Sequence, residues 1–183
     1  MTQSKPQWPW ALVLILLALA AYSNSFQAAF TLDSEAFVVT DPRVQHVSLR
    51  NLNAIFSEDY WHTISSGLYR PLVTLSWLFN YAVLGNHEHP FGYHVFDFAL
   101  HALNTLLLWW LGLAIFDRRL PAFFTAALFA VHPLATEAVT NLSGRADLMA
   151  AAAVLGGLVL YARRPSTEVL LPLIARFDWH GGA

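Results

Sequence analysis

The sequence predicts an all-α, polytopic membrane protein of about four spans, with interfacial helices in a large first extracytoplasmic loop. Three observations carry that expectation. Of 183 residues, 56% are hydrophobic and only 12% charged, against roughly 25% charged in ordinary soluble domains. Mean hydropathy is positive, +0.46. The apolar residues are gathered into nearly uncharged runs, and about 20 such residues cross a bilayer as a helix that satisfies its own backbone hydrogen bonds.

The first run extends from Trp8 to about Tyr22. It reads as an uncleaved span prolonged toward Ala29, although the small residues of Ala18 to Ala21 also suit a signal-peptide cleavage site. Residues 31–90 hold most of the charge, with Asp41-Pro42, Gly67, Gly85-Asn86 and His89-Pro90 as breakers, and form the extramembrane loop. Within it, Leu49 to Trp61 predicts a short helix, and Arg70 to Leu84 a second one lying along the interface or making a short crossing. Phe91 to Phe116, Leu120 to Ala135 and Ala146 to Tyr161 are the remaining apolar runs, the last two short for a span. Asp117-Arg118-Arg119 joins two of them as a hairpin. With the amino terminus in the cytoplasm, Lys5, Arg118, Arg119, Arg163 and Arg164 all fall inside, as the positive-inside rule requires. That orientation puts the loop and the 132–145 turn together on the opposite side.

A formal net charge of −2 and the lack of a basic run give no reason to expect a nucleic-acid partner. Cysteine is absent, which removes disulfides, thiolate metal sites and cysteine nucleophiles. His87-Glu88-His89 with His94 invites metal ligation, but the first two lie in a loop beside Pro90 with no geometry to fix them. No metal or cofactor is expected, and no phosphate loop or serine-hydrolase elbow is present.

Three constellations remain. Asp33-Ser34-Glu35 follows the first span, where a carboxylate beside the bilayer edge is either a general base or the acidic start of a solvated loop. His94, Asp97, His101 and Asn104 share one helical stripe, which either lines a polar cavity or bonds helices together. His132, Glu137, Arg145 and Asp147 lie between two apolar runs, and ions there need a wet cavity or a partner. A small transporter using the histidine stripe would require an internal repeat of spans, which the sequence does not show.

Taken in order, Tyr69-Arg70-Pro71-Leu72, Phe91-Gly92-Tyr93-His94, Leu100-His101, His132-Pro133, Thr136-Glu137 and Gly144-Arg145-Ala146-Asp147 resemble the amino-terminal part of the transmembrane and tetratricopeptide-repeat O-mannosyltransferase family. The resemblance covers about residues 7–162. It implies the C-type membrane glycosyltransferase fold, with sugar passed from a polyprenyl-phosphate carrier to a protein hydroxyl on the extracytoplasmic side. It also implies an acidic pair upstream of an Asn-Pro in the first loop; the spacing to Asp41-Pro42 puts Asp33 first, Ser34 second and Glu35 one place late. On that basis Asp33 is expected as catalytic base, with Glu137 the second catalytic position. Glu35, Arg70, His94, His101, His132, Arg145 and Asp147 are expected to bind substrate, with Arg70 and Arg145 on the carrier phosphate.

Residues 1–164 are thus read as the membrane segment and 165–183 as an atypical tail, because nothing after Tyr161 continues as further spans or 34-residue repeats. The chain is expected to be a truncated member, a fragment or one part of a split enzyme in a bacterial inner membrane. Its partners would be the carrier-linked sugar, an acceptor protein, the lipid bilayer and a second membrane chain. The rival expectation is a non-catalytic membrane subunit that binds a lipid carrier or a partner protein.

Overall fold

The computed structural model describes residues 7–63 and 65–163. Lys5, Arg164 and the tail lie outside them. The described residues form helices and no strands. Helix α1 (Trp8–Tyr22) continues as a 3-10 turn, Ser23–Gln27, giving a 20-residue apolar span. A cap of four short helices follows: α2 (Leu32–Val38), α3 (Pro42–Gln45), α4 (Leu49–Ser57) and α5 (Pro71–Leu78). Helices α6 (Pro90–Phe116), α7 (Arg119–Ala130), α8 (Thr136–Thr140) and α9 (Arg145–Arg163) complete the described residues. Among the described residues three helices are long and apolar enough to cross a membrane, or four if the bent α7–α8 pair counts as one, which marks a multi-pass membrane protein.

Helix α6 is the axis of the bundle and touches α1, α7 and α9. Its 27 residues start at Pro90, whose missing N–H costs nothing in a first turn, and end at Asp117 in the left-handed conformation, φ 50°. That residue makes the expected hairpin. Small residues set the α6–α7 spacing: Ala122, Ala126 and Ala130 are fully buried, and a Cβ on Gly112 would lie 3.1 Å from the Ala122 Cα. Leu14 and Trp109 fill the space beside them.

The run from Leu120 to Ala135 is not one straight helix. Pro133 lacks an N–H, so α7 stops at Ala130 and the chain resumes after a 47° bend. His132 supplies the stop, its Nδ1 accepting the Leu134 N–H at 3.2 Å. The 71–84 segment is helical as expected, with α5 of eight residues running into a wider π-type turn, Phe79–Val83, and of the two alternatives the crossing is ruled out by length. It forms a wall of the cap, with Val73, Trp77 and Leu78 in a core shared with Phe37, Val44, Ile55, Tyr60 and, from α6, Tyr93. The cap therefore packs onto the bundle.

Two ends of the bundle follow from these contacts. Tyr22 Oη donates to the His132 carbonyl at 2.7 Å, joining the end of α1 to the end of α7 near the cap. At the opposite end, Arg163 lies over the Trp110 ring, near the Asp117 hairpin.

Candidate functional site

The cap is organised by two carboxylates that sequence reading took for breakers and loop. Asp41 caps α3 by accepting the Arg43 N–H at 2.9 Å, and the same buried carboxylate takes the Arg43 guanidinium in bidentate fashion, Nη2 to Oδ2 at 2.8 Å. The remaining guanidinium hydrogens donate to the carbonyls of Asp59, 2.8 Å, and Tyr60, 2.9 Å. This clamp fixes residues 59–60 against α3. Asp59 then gathers the returning loop, accepting from Trp61 N, Ser66 N, Ser66 Oγ and Gly67 N. The Ser66 hydroxyl, aided by those amides, holds the Asp59 carboxyl below the usual carboxylate range.

Tyr60 stands between clamp and loop. Its N–H donates to the Leu68 carbonyl at 2.8 Å and its ring lies 4.5 Å from that of Phe37. Burial raises its phenol pKa, with Trp77 and the Arg70 and Arg145 guanidinium groups opposing and Asp33 adding to the rise. Helix α2, which carries Asp33, touches both α5 and the 142–144 turn.

Asp33 and Glu35 are both exposed in α2. Two residues apart on a helix they diverge, so they do not form a pair. Ser34, at the position where the family resemblance implies a second acid, is buried and completes a reciprocal cap with Thr31, its Oγ accepting the Thr31 N–H at 2.8 Å. That leaves Asp33 as the acidic group at the first position the family resemblance implies.

Arg70 opens a groove of about 490 Å³ between α5 and α9. Asp147 shares its mouth, and its floor is Leu72, Val73, Met149, Ala150 and Ala153. Among the described residues no hydrogen bond or ion pair engages the Arg70 guanidinium; it lies over the Tyr60 ring, 5.5 Å from the centroid. A cation with uncommitted donors above an apolar floor is the arrangement an anionic head with a hydrocarbon tail requires.

Arg145 has the opposite surroundings. It is fully buried, and its Nε donates to Asp97 Oδ1 at 2.5 Å, an ion pair in which both side chains are sealed from solvent. Nη1 donates to Asn80 Oδ1 at 2.6 Å and Nη2 to the Tyr93 carbonyl at 3.2 Å. The guanidinium stacks 3.7 Å from the Trp77 centroid and 4.5 Å from that of Phe96. Nothing of it faces the groove. The expectation of direct phosphate contact by Arg145 is thereby corrected: its charge is spent on α5 and α6.

The stripe on α6 resolves the same way. His94 Nε2 meets the Ala28 carbonyl and His101 Nε2 the Ala130 carbonyl, each at 3.1 Å, while Asn104 Nδ2 donates to Leu148 O at 2.9 Å. All four residues are buried and together they bond three other segments, Asp97 and Asn104 both reaching α9, so they fasten helices, and neither histidine is open to substrate. His132 is likewise engaged in its turn. Glu137 is exposed on α8, forms no ion pair with Arg145 and does not line the groove; the structure brings Arg70 and Asp147 together there without it. Sequence reading missed the Arg145–Asp97 pair and the Tyr60 platform. The signal for the pair was present, since a lone acid and a lone arginine on separate spans each cost several kcal/mol unless they meet, roughly as buried ions do.

No family model matches the chain, and no solved structure matches it. Curated proteins do. It is 37% identical over 161 residues to a protein O-mannosyl-transferase of Caenorhabditis elegans, covering 83% of this chain and 23% of that protein. Against protein O-mannosyl-transferase TMTC1 of Homo sapiens the identity is 36% over 148 residues, covering 78% of this chain and 16% of the relative. Protein O-mannosyl-transferase TMTC2 of Mus musculus is 34% identical, with 86% and 19% covered. The chain thus spans less than a quarter of the length of these relatives. All three are animal proteins, so a bacterial inner membrane draws no support from them. By these matches, the chain belongs, over this amino-terminal part, to the transmembrane and tetratricopeptide-repeat O-mannosyltransferase family.

Proposed function

We propose that this segment is the carrier-binding and base-supplying part of a membrane glycosyltransferase that moves a mannose-like sugar from a polyprenyl-phosphate carrier to a protein hydroxyl. The groove between α5 and α9 carries this reading, because it combines the uncommitted Arg70 at its mouth with an apolar floor. A guanidinium binds phosphate through two parallel N–H bonds, and the floor takes the first isoprenoid units. Asp33 stands on the neighbouring helix as general base. The acceptor hydroxyl oxygen attacks the anomeric carbon, its proton passes to Asp33, and the bond from that carbon to the phosphate oxygen breaks as positive charge develops on the sugar. The leaving polyprenyl phosphate keeps the electron pair, and Arg70 stabilises it. Asp147 faces the sugar end of the mouth.

The reaction side is the non-cytoplasmic one, with Arg118, Arg119 and Arg163 at the cytoplasmic end. Glu137, exposed on the same side as the cap, is left to contact the acceptor protein. A second membrane chain would supply any part of the relatives' machinery that this segment lacks.

The test is equilibrium binding of a short polyprenyl-phosphate mannose to the chain in lipid nanodiscs. Arg70→Ala is expected to weaken binding about ten- to a hundredfold, the equivalent of a charged hydrogen-bonded contact. Asp33→Asn leaves binding intact and, in a complete relative carrying the same change, abolishes transfer. Undiminished binding by Arg70→Ala removes the groove from the account. Binding without transfer to an acceptor peptide in any assembly of the chain assigns the alternative, a non-catalytic carrier-binding subunit.

A further inference from the structure

The cation of the groove is held by a ring whose own position is fixed from three directions. Arg43 grips the Tyr60 carbonyl at 2.9 Å, the Tyr60 N–H is tied to Leu68 at 2.8 Å, and Phe37 lies against the ring at 4.5 Å. Tyr60 is 4% exposed, and among the described residues its buried hydroxyl has no hydrogen-bond partner at standard geometry, with the Trp77 side chain beside it. The hydroxyl therefore does not hold the ring in place. The face of the ring meets the Arg70 guanidinium, 5.5 Å from the centroid, and that guanidinium borders the groove. A long, exposed arginine would otherwise sample many rotamers, each of which a bound phosphate must exclude at the cost of side-chain entropy.

We propose that Tyr60 is a positioning residue of the groove: its clamped ring holds the Arg70 guanidinium over the mouth, ready for the phosphate of a polyprenyl carrier. The inference rests on the carrier-binding reading above. The attraction is that of a cation for the negative face of an aromatic ring, so it scales with the ring quadrupole and not with the hydroxyl. Arg70 reaches the ring from the residue just before α5, and the Asp59 loop sets the path between them.

The experiment replaces Tyr60 with phenylalanine and with its mono- and trifluorinated analogues, which keep the shape of the ring while draining its face of negative charge. Affinity for polyprenyl-phosphate mannose is measured in nanodiscs, with the unfolding midpoint recorded for each variant. Tyr60→Phe is expected to bind like the parent, and affinity is expected to fall stepwise with fluorination, about two- to fivefold across the series. In an Arg70→Ala background the series is expected to be flat, which isolates the pairwise interaction. A flat series with Arg70 present, while Arg70→Ala itself weakens binding, overturns the role of Tyr60 and leaves the carrier groove standing. An unchanged affinity in Arg70→Ala alone overturns both. The monofluorinated ring, nearly the size of the parent, carries the comparison if the trifluorinated variant fails to fold.

Discussion

Arg145 and Arg70 lie at the same end of the bundle and do different work. Arg145 donates to Asp97, Asn80 and the Tyr93 carbonyl and stacks on Trp77, with no surface left for a ligand. Arg70 rests on one ring face and keeps its donors free at the rim of a groove. In a low-dielectric interior a charge persists only when paired and hydrogen-bonded, so the buried arginine is structural by necessity. At the rim, water and headgroups solvate the uncommitted cation, which can then exchange that hydration for a phosphate. The difference teaches that charge within a membrane protein identifies function only after its partners are counted.

The largest effect expected from breaking the comparison is on the buried side. Arg145→Ala leaves the Asp97 carboxyl buried without its partner, and is expected to lower unfolding stability by about 3–5 kcal/mol, measured by denaturant titration in detergent. Replacing both partners, Arg145→Met with Asp97→Leu, is expected to recover most of that loss. Next is Gly144→Ala, whose Cβ would lie 2.6 Å from the Ala138 Cα and collide with backbone, at a cost of roughly 1–3 kcal/mol in the same titration. On the exposed side, Asp33→Asn and Arg70→Ala are expected to change stability by no more than about 0.5 kcal/mol, as surface substitutions do. The smallest effect concerns the Asp59 loop. Its carboxyl has a lowered pKa in the folded state, so its contribution is complete above the ordinary carboxylate pKa and fades as pH falls through the lowered value. Amide exchange of Ser66 and Gly67 should accelerate across that acid window in the parent chain and show no such step in Asp59→Asn.

Much of the architecture was legible in the residues. Trp8 to Tyr22, Phe91 to Phe116 and Ala146 to Tyr161 appear as helices close to their expected limits, because an uncharged apolar run in lipid has no alternative that satisfies its backbone. Leu120 to Ala135 was misjudged at Pro133, where loss of one N–H outweighs apolar content. The stripe of His94, Asp97, His101 and Asn104 was visible as a stripe, but spacing on one helix cannot show what stands opposite, and the carbonyls of Ala28, Ala130 and Leu148 come from three other segments. Arg145 was singled out for the wrong contact for the same reason. Arg70 and Asp147 were named in the sequence and share the groove, whereas Tyr60 carried no motif and its place depends on Arg43, seventeen residues earlier.

The separation of structural from working charge is tested most directly by measuring carrier affinity and unfolding free energy together for Arg70→Ala and for the Arg145→Met, Asp97→Leu pair in nanodiscs. The account predicts that Arg70→Ala unfolds like the parent and binds polyprenyl-phosphate mannose at least about tenfold more weakly, while the folded apolar pair binds within about threefold of the parent. Loss of binding in the folded apolar pair, with binding preserved in Arg70→Ala, would contradict it.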